Sequence, residues 1–123
     1  MANLQPGLSA RVELVVADSD TALAVGSGDV AVLATPRLLA LCEQATVAAA
    51  APGLDLGETT VGSRVELDHL SPTPVGTPVV AIAVLESVDG PRLTFTVSAV
   101  QEGREVARGV VRRVVVDRAR FGG

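Results

Sequence analysis

Thr35-Pro36-Arg37-Leu38-Leu39-Ala40-Leu41-Cys42-Glu43-Gln44-Ala45-Thr46-Val47-Ala48-Ala49-Ala50-Ala51-Pro52-Gly53 is the stretch whose reading decides the fold. Thr35 can cap a helix with its hydroxyl. Pro36 suits the first turn, where its missing N–H costs nothing. Leu and Ala dominate the next fourteen positions, and few are β-branched, so the spacing predicts a helix to about Ala50. Ala51-Pro52-Gly53 stops it.

On both sides of this helix the pattern has period two. Leu8 to Ala17 reads as a strand, with Leu8, Ala10, Val12, Leu14 and Val16 on one face. Asp18-Ser19-Asp20 breaks it. Thr21 to Val25 is expected as a short strand, Gly26-Ser27-Gly28-Asp29 as a loop, and Val30 to Ala34 as an extended apolar approach. After the helix, Glu58 to Leu70, Thr77 to Val88, Arg92 to Gln101 and Arg104 to Asp117 read as strands. Asp89-Gly90-Pro91 and Glu102-Gly103 are turns, so the last three strands form an antiparallel meander. One helix cannot cover such a sheet unless the sheet curls around it. The fold class is therefore α+β, with one long central helix wrapped by a curved antiparallel sheet, and residues 1–123 are read as a single domain.

Composition bounds the function. The 123 residues are 48% hydrophobic, yet there is no Trp or Tyr, and Phe95 and Phe121 are the only aromatics. A core of Val, Ala and Leu has few large anchors, so pairing with a second copy is a natural way to bury leftover apolar surface. A formal net charge of −4 argues against nucleic-acid binding, which needs a basic surface. Met1 to Gly7 lacks the pattern of a signal peptide, and no apolar run is long enough to span a bilayer. Cys42 is the only cysteine. The expectation is a soluble cytoplasmic protein without a membrane partner.

Two polar residues stand out. On a 100° helical wheel Arg37 and Gln44 lie almost in line and mark the wet side. Glu43 sits about 120° away, on or beside the apolar face. It either reaches water at the edge or is a buried carboxylate that needs a partner. In the strand Gly62 to Leu70, Ser63, Val65, Leu67 and His69 share one face, which looks at the helix. His69, the only histidine, then points toward the helix that carries Glu43. It is either a hydrogen-bonded core histidine or an acid/base group. Asp68 points the other way.

Other constellations fail. There is no G-x-S-x-G nucleophile motif, and Gly26-Ser27-Gly28 lacks the spacing of a phosphate loop. One His and one Cys do not make a zinc site, so no metal is expected. Cys42 lies in the apolar helix and reads as a packing residue. Arg112 and Arg113 are adjacent in a strand, so only one faces a given side; one could hold a ligand phosphate.

Val32-Leu33-Ala34-Thr35-Pro36, Leu41-Cys42-Glu43, Val61-Gly62-Ser63 and His69-Leu70-Ser71-Pro72-Thr73-Pro74-Val75-Gly76 together resemble the fluoroacetyl-CoA thioesterase family. The resemblance runs from about Leu8 to Asp117 and implies the hotdog fold. That family has a Thr before the helix, a Glu eight positions later, and a His followed by T-P-x-G. Thr35, Glu43 and His69 fall on those positions. The resemblance implies that they form the catalytic set and that Gly62 lies at the substrate site; Ser63 beside it, and Arg112 as the phosphate contact, are taken as further substrate-binding candidates. It further implies an acyl-CoA substrate, a homodimer and no cofactor. The segment Thr21 to Ala34 contains no aromatic residue, where the fluoroacetyl-specific enzyme has an aromatic-rich lid. The expected activity is therefore general acyl-CoA thioester hydrolysis. A hotdog hydratase or dehydratase, or a non-catalytic acyl-CoA-binding module, is the alternative.

Overall fold

A computed structural model describes residues 1–122. Its long helix, α2 (Thr35–Ala50), follows β1 (Ser9–Val15) and a one-turn helix, α1 (Ala22–Val25). Four strands come next: β2 (Glu58–His69), β3 (Pro78–Asp89), β4 (Arg92–Gln101) and β5 (Arg104–Asp117). A terminal turn, α3 (Arg118–Phe121), closes the chain. All pairings are antiparallel, in the order β1-β3-β4-β5-β2. The expected meander is thus the centre of the sheet, with β1 and β2 at its edges.

Spacing places α2 in the curl. Leu38, Leu41, Cys42, Ala45, Thr46, Ala49 and Ala50 are its buried residues, a stripe at three- and four-residue intervals. They meet Val79, Ala81, Ala83 and Leu85 of β3 and Leu93, Phe95, Val97 and Ala99 of β4, every second residue of each strand. Phe95 is the one aromatic in this core and is fully buried, whereas Phe121 is 61% exposed.

Two local expectations are overturned. Thr21 to Val25 is not a strand. Thr21 caps α1, its hydroxyl oxygen accepting from the Ala24 N–H, and Gly26 ends the turn in the left-handed region at φ 87°. Ala, Leu and Ala between a good cap and a glycine favour a helical turn over a lone strand. Nor does Thr35 cap α2. Ala34 holds the cap position without a side-chain bond, and Thr35 is the first helical residue, followed by Pro36. The start of α2 is held instead by Asp20. Its backbone carbonyl accepts from the Ala34 N–H at 2.9 Å, and its carboxylate accepts from Arg37 Nε at 2.9 Å. Arg37 is therefore half-buried and paired rather than on the wet side.

The third departure is in β2. Its register with β5 slips between Gly62 and Arg64, leaving Ser63 as an extra residue in a β-bulge. A bulge reverses the alternation. Thr60 and Gly62 face the helix before it, and Leu67 and His69 after it. The single face expected for Ser63 through His69 holds only from Val65 onward.

Candidate functional site

Thr35 is the first residue of α2 and His69 the last of β2, and the fold brings these two far ends together. Thr35 Oγ1 lies 2.8 Å from His69 Nδ1. Because Thr35 does not cap its helix, its hydroxyl is free for this bond. Burial lowers the His69 pKa from its ordinary value of 6.5, while the Ser71 backbone works in the opposite direction. The imidazole is therefore neutral at pH 7 and able to accept a proton. Its Nε2 is buried without a hydrogen-bond partner among the described residues.

The pair opens on a cavity of about 300 Å³ lined by Ala22, Val32, Leu33, Leu70 and Pro72. Its walls are tied by backbone bonds. The Leu33 N–H donates to the Thr73 carbonyl at 2.9 Å, and Val32 bridges Pro74. Thr73 itself is fully buried. Gly76 turns the chain at φ 88°, and its N–H donates to the Val16 carbonyl at 2.7 Å. The Thr73-Pro74-Val75-Gly76 stretch thus joins the segment before α2 to the segment after His69.

Glu43 is elsewhere. Its carboxylate accepts from Arg113 Nη1 at 3.2 Å, and no hydrogen bond joins it to His69 or Thr35 among the described residues. Eight helical residues separate Thr35 from Glu43, roughly 12 Å along the axis at the α-helical rise. Within one chain, then, Glu43 and His69 share no hydrogen bond among the described residues. The period-two reading put His69 on the correct face but did not say where along α2 it lands.

Arg113, named beside Arg112 in the sequence but left out of the expected site, is the arginine that faces the helix. It is only 7% exposed. Its Nε donates to Thr60 Oγ1 at 2.9 Å and its Nη2 to the Thr60 carbonyl at 3.1 Å, so with the Glu43 contact the guanidinium is fixed on both β2 and α2. Burial lowers its pKa, and the Glu43 carboxylate opposes that shift. Val111 and Val115 flank it at two-residue spacing and are buried, so alternation alone assigns Arg113 to the inner face. Arg112 lies on the outer face and is exposed.

Gly62 lies under the same pair. A Cβ built there would come 2.6 Å from Glu43 Oε2 and 3.4 Å from Arg113 Nη1. The glycine makes room for the carboxylate. Ser63, in the bulge, is exposed and donates to the Arg112 carbonyl at 3.2 Å. Cys42 is buried in the core, and burial pushes its thiol up to about 11, which suits packing and not nucleophilic attack. No group of acidic, His and Cys side chains that could hold a metal ion occurs among the described residues. Among the described residues no helix is long and apolar enough to cross a membrane.

This arrangement has known counterparts. A sequence profile of the fluoroacetyl-CoA-specific thioesterases matches residues 16–119. The fluoroacetyl-CoA thioesterase of Streptantibioticus cattleyicolor is 38% identical over 90 residues, which span 73% of this chain and 65% of that protein. A crystal structure of a point mutant of the fluoroacetyl-CoA-specific thioesterase, in complex with fluoroacetate and CoA, superposes with a TM-score of 0.89. It is 30% identical and covers 97% of this chain and 100% of that one. A hot-dog-like protein from Thermanaerovibrio acidaminovorans superposes with a TM-score of 0.85 at 27% identity, covering 98% and 95% of the two chains. The expected hotdog fold is borne out. With a profile match over most of its length and the same curled sheet around one helix, the chain belongs to the fluoroacetyl-CoA-specific thioesterase family.

Proposed function

We propose that this protein hydrolyses acyl-CoA thioesters to the free acid and CoA, with Thr35, His69 and Glu43 as its catalytic set. The observation that carries the reading is the 2.8 Å contact between Thr35 Oγ1 and a neutral, half-buried His69 at the mouth of a cavity. Thioester hydrolysis needs a nucleophile, a base to take its proton, and donors for the oxyanion. A threonine hydroxyl is unreactive until a base removes its proton, and His69 Nδ1 is within reach to do so. Thr35 Oγ1 then attacks the thioester carbonyl, the C–S bond breaks, and protonated His69 gives its proton to the leaving CoA thiolate. Water hydrolyses the acyl-Thr35 ester. Alternatively Thr35 positions a water that attacks directly, with the same C–S cleavage and proton return. Donors for the oxyanion are available from unpaired first-turn N–H groups of α2 and, together with Glu43, from the backbone near Gly62 of the second copy.

In the working protein, a homodimer supplies Glu43. The roughly 12 Å between Thr35 and Glu43 in one chain favours a site completed across a seam between two copies. The open edge of β2 supports such a seam, with Val65 40% exposed and Val47, beside Thr59 and Thr60, 46% exposed. There Glu43, aimed by Arg113, would orient His69 or water at the partner's reaction centre.

The test offers purified protein a panel of acyl-CoAs and follows release of free CoA thiol. Turnover is expected for the wild type and lost in His69→Ala and Glu43→Ala. Unchanged turnover in both variants sinks the assignment. Thr35→Ala separates this reading from a dehydratase, which would not need the hydroxyl.

A further inference from the structure

The helix that carries Thr35 begins with a charge of the wrong sign. Arg37 lies in the first turn of α2, and that turn holds no acidic residue. A cation there opposes the helix dipole, whose N-terminal end is positive. The missing negative charge comes from outside the helix, from the buried Asp20. Both of its carboxylate oxygens are engaged. Oδ1 accepts from Arg37 Nε at 2.9 Å, and Oδ2 accepts from the Ala17 N–H at 2.8 Å. Its carbonyl accepts from the Ala34 N–H at 2.9 Å.

The bonds to Ala34 and Arg37 bracket Thr35. Ala34 precedes it and Arg37 follows two residues later, so Asp20 holds the chain on both sides of the Thr35 hydroxyl. The neighbouring contacts continue the clamp. Thr21 bridges Leu33 antiparallel, and the Ala22 N–H donates to the Val32 carbonyl at 2.9 Å. A helix start is ordinarily fixed by the side chain of its own cap residue. Ala34, at the cap, has no polar side chain to give, and the Thr35 hydroxyl bonds to His69 instead. Nor does core packing fix this turn. The buried stripe of α2 starts at Leu38, so Thr35, Pro36 and Arg37 lie ahead of it. Asp20 does the work of a cap and leaves the hydroxyl free.

We propose that Asp20 is a positioning residue for the reaction centre: through Ala34 and Arg37 it holds the Thr35 hydroxyl at bonding distance from His69. The kinetic consequence rests on the acyl-CoA reading above, and the geometry does not. A misplacement of about 1 Å at reacting atoms costs up to about a hundredfold in rate, so a loosened first turn is felt in kcat before it is felt in binding.

His69 is the only histidine, so its imidazole nitrogens give a single set of NMR signals, and Nδ1 reports the Thr35 bond without substrate. The Nδ1 signal is expected to move in Asp20→Asn in the same direction as in Thr35→Ala, and to move no further when the two are combined. Asp20→Asn keeps the side-chain shape and the backbone bond to Ala34. Arg37→Gln breaks the same ion pair from the other side and is expected to give the same shift. With an acyl-CoA that the wild type hydrolyses, kcat should fall about tenfold in Asp20→Asn and in Arg37→Gln, with KM within about twofold. In the Thr35→Ala background neither substitution should lower kcat further. An unmoved Nδ1 signal, a loss confined to KM, or the same loss of kcat with and without Thr35→Ala overturns the proposal and leaves the ion pair a fold contact alone. A moved signal in a protein that cleaves no acyl-CoA refutes the hydrolase reading while the positioning role stands.

Discussion

Two polar pairs sit on the inner side of this sheet, and they are built on opposite principles. Thr35 and His69 share one neutral hydrogen bond at an exposed helix start. Glu43 and Arg113 share a charged contact, and three hydrogen bonds fix the guanidinium on Thr60 and Glu43. The first pair can lose its bond at little cost to the fold, so it is free to move a proton. The second cannot, because a buried guanidinium without its carboxylate is a large penalty. Charge holds the geometry in one region, and neutrality permits chemistry in the other.

That contrast makes opposite predictions for the two pairs. His69→Ala is expected to lower kcat/KM by about 10²–10⁴, the usual range for losing a general base. Its urea midpoint should stay near wild type, because His69 is half-buried and Nε2 has no partner to strand. Arg113→Met should do the reverse first. It removes the partner of Glu43 and three hydrogen bonds, and a loss of about 2–3 kcal/mol is expected by urea unfolding. The full penalty of a buried pair is not reached, because Glu43 is 34% exposed. Equal destabilisation by both variants would erase the distinction.

The pH profile sharpens it further. With its pKa held below 6.5 by burial, His69 stays a base to lower pH than a free imidazole. The acidic limb of kcat/KM should therefore lie below pH 6.5 and vanish in His69→Ala. The same shift gives a stability term. The unfolded chain binds more protons than the folded one between the folded pKa and 6.5, so stability falls as pH drops through that window. A limb above pH 6.5 would mean that another group limits the rate.

How legible all this was depends on which interactions set each feature. The helix bounds near Thr35 and Ala50, and the turns at Gly90 and Gly103, follow local rules of propensity and of proline and glycine placement, and the chain states them directly. Thr21 to Val25 went wrong because a four-residue apolar run satisfies helix and strand patterns alike, and the Thr21 cap with Gly26 decided it. The bulge at Ser63 was hidden because nothing in Val61-Gly62-Ser63-Arg64 breaks the alternation. It arises from pairing with β5, a non-local contact. Arg113 was legible from its valine neighbours, but its partner was not, since Glu43 lies 70 residues away. The Thr35–His69 pair was anticipated through the resemblance and not through periodicity, which would have spent the Thr35 hydroxyl on the helix cap.

The smallest change with a readable consequence is one methyl group at Gly62. The glycine is not there for backbone freedom, since its φ is not positive. It is there because Glu43 Oε2 occupies the space a Cβ would need, at 2.6 Å. Gly62→Ala therefore forces a choice between moving strand backbone and moving the carboxylate. The carboxylate is the end of a flexible side chain and yields first. The expected stability loss is below about 1 kcal/mol, the cost of one off-rotamer side chain. On the role proposed for Glu43, activity should fall further than stability, because the displaced carboxylate would no longer serve the reaction while His69 and Thr35 remain in place. The discriminating measurement is a double-mutant cycle with Glu43→Gln, read in kcat/KM. If Gly62 acts through Glu43, the second substitution adds little to the first. Additive losses would mean that Gly62 serves the reaction through its own backbone, with the carboxylate as a bystander.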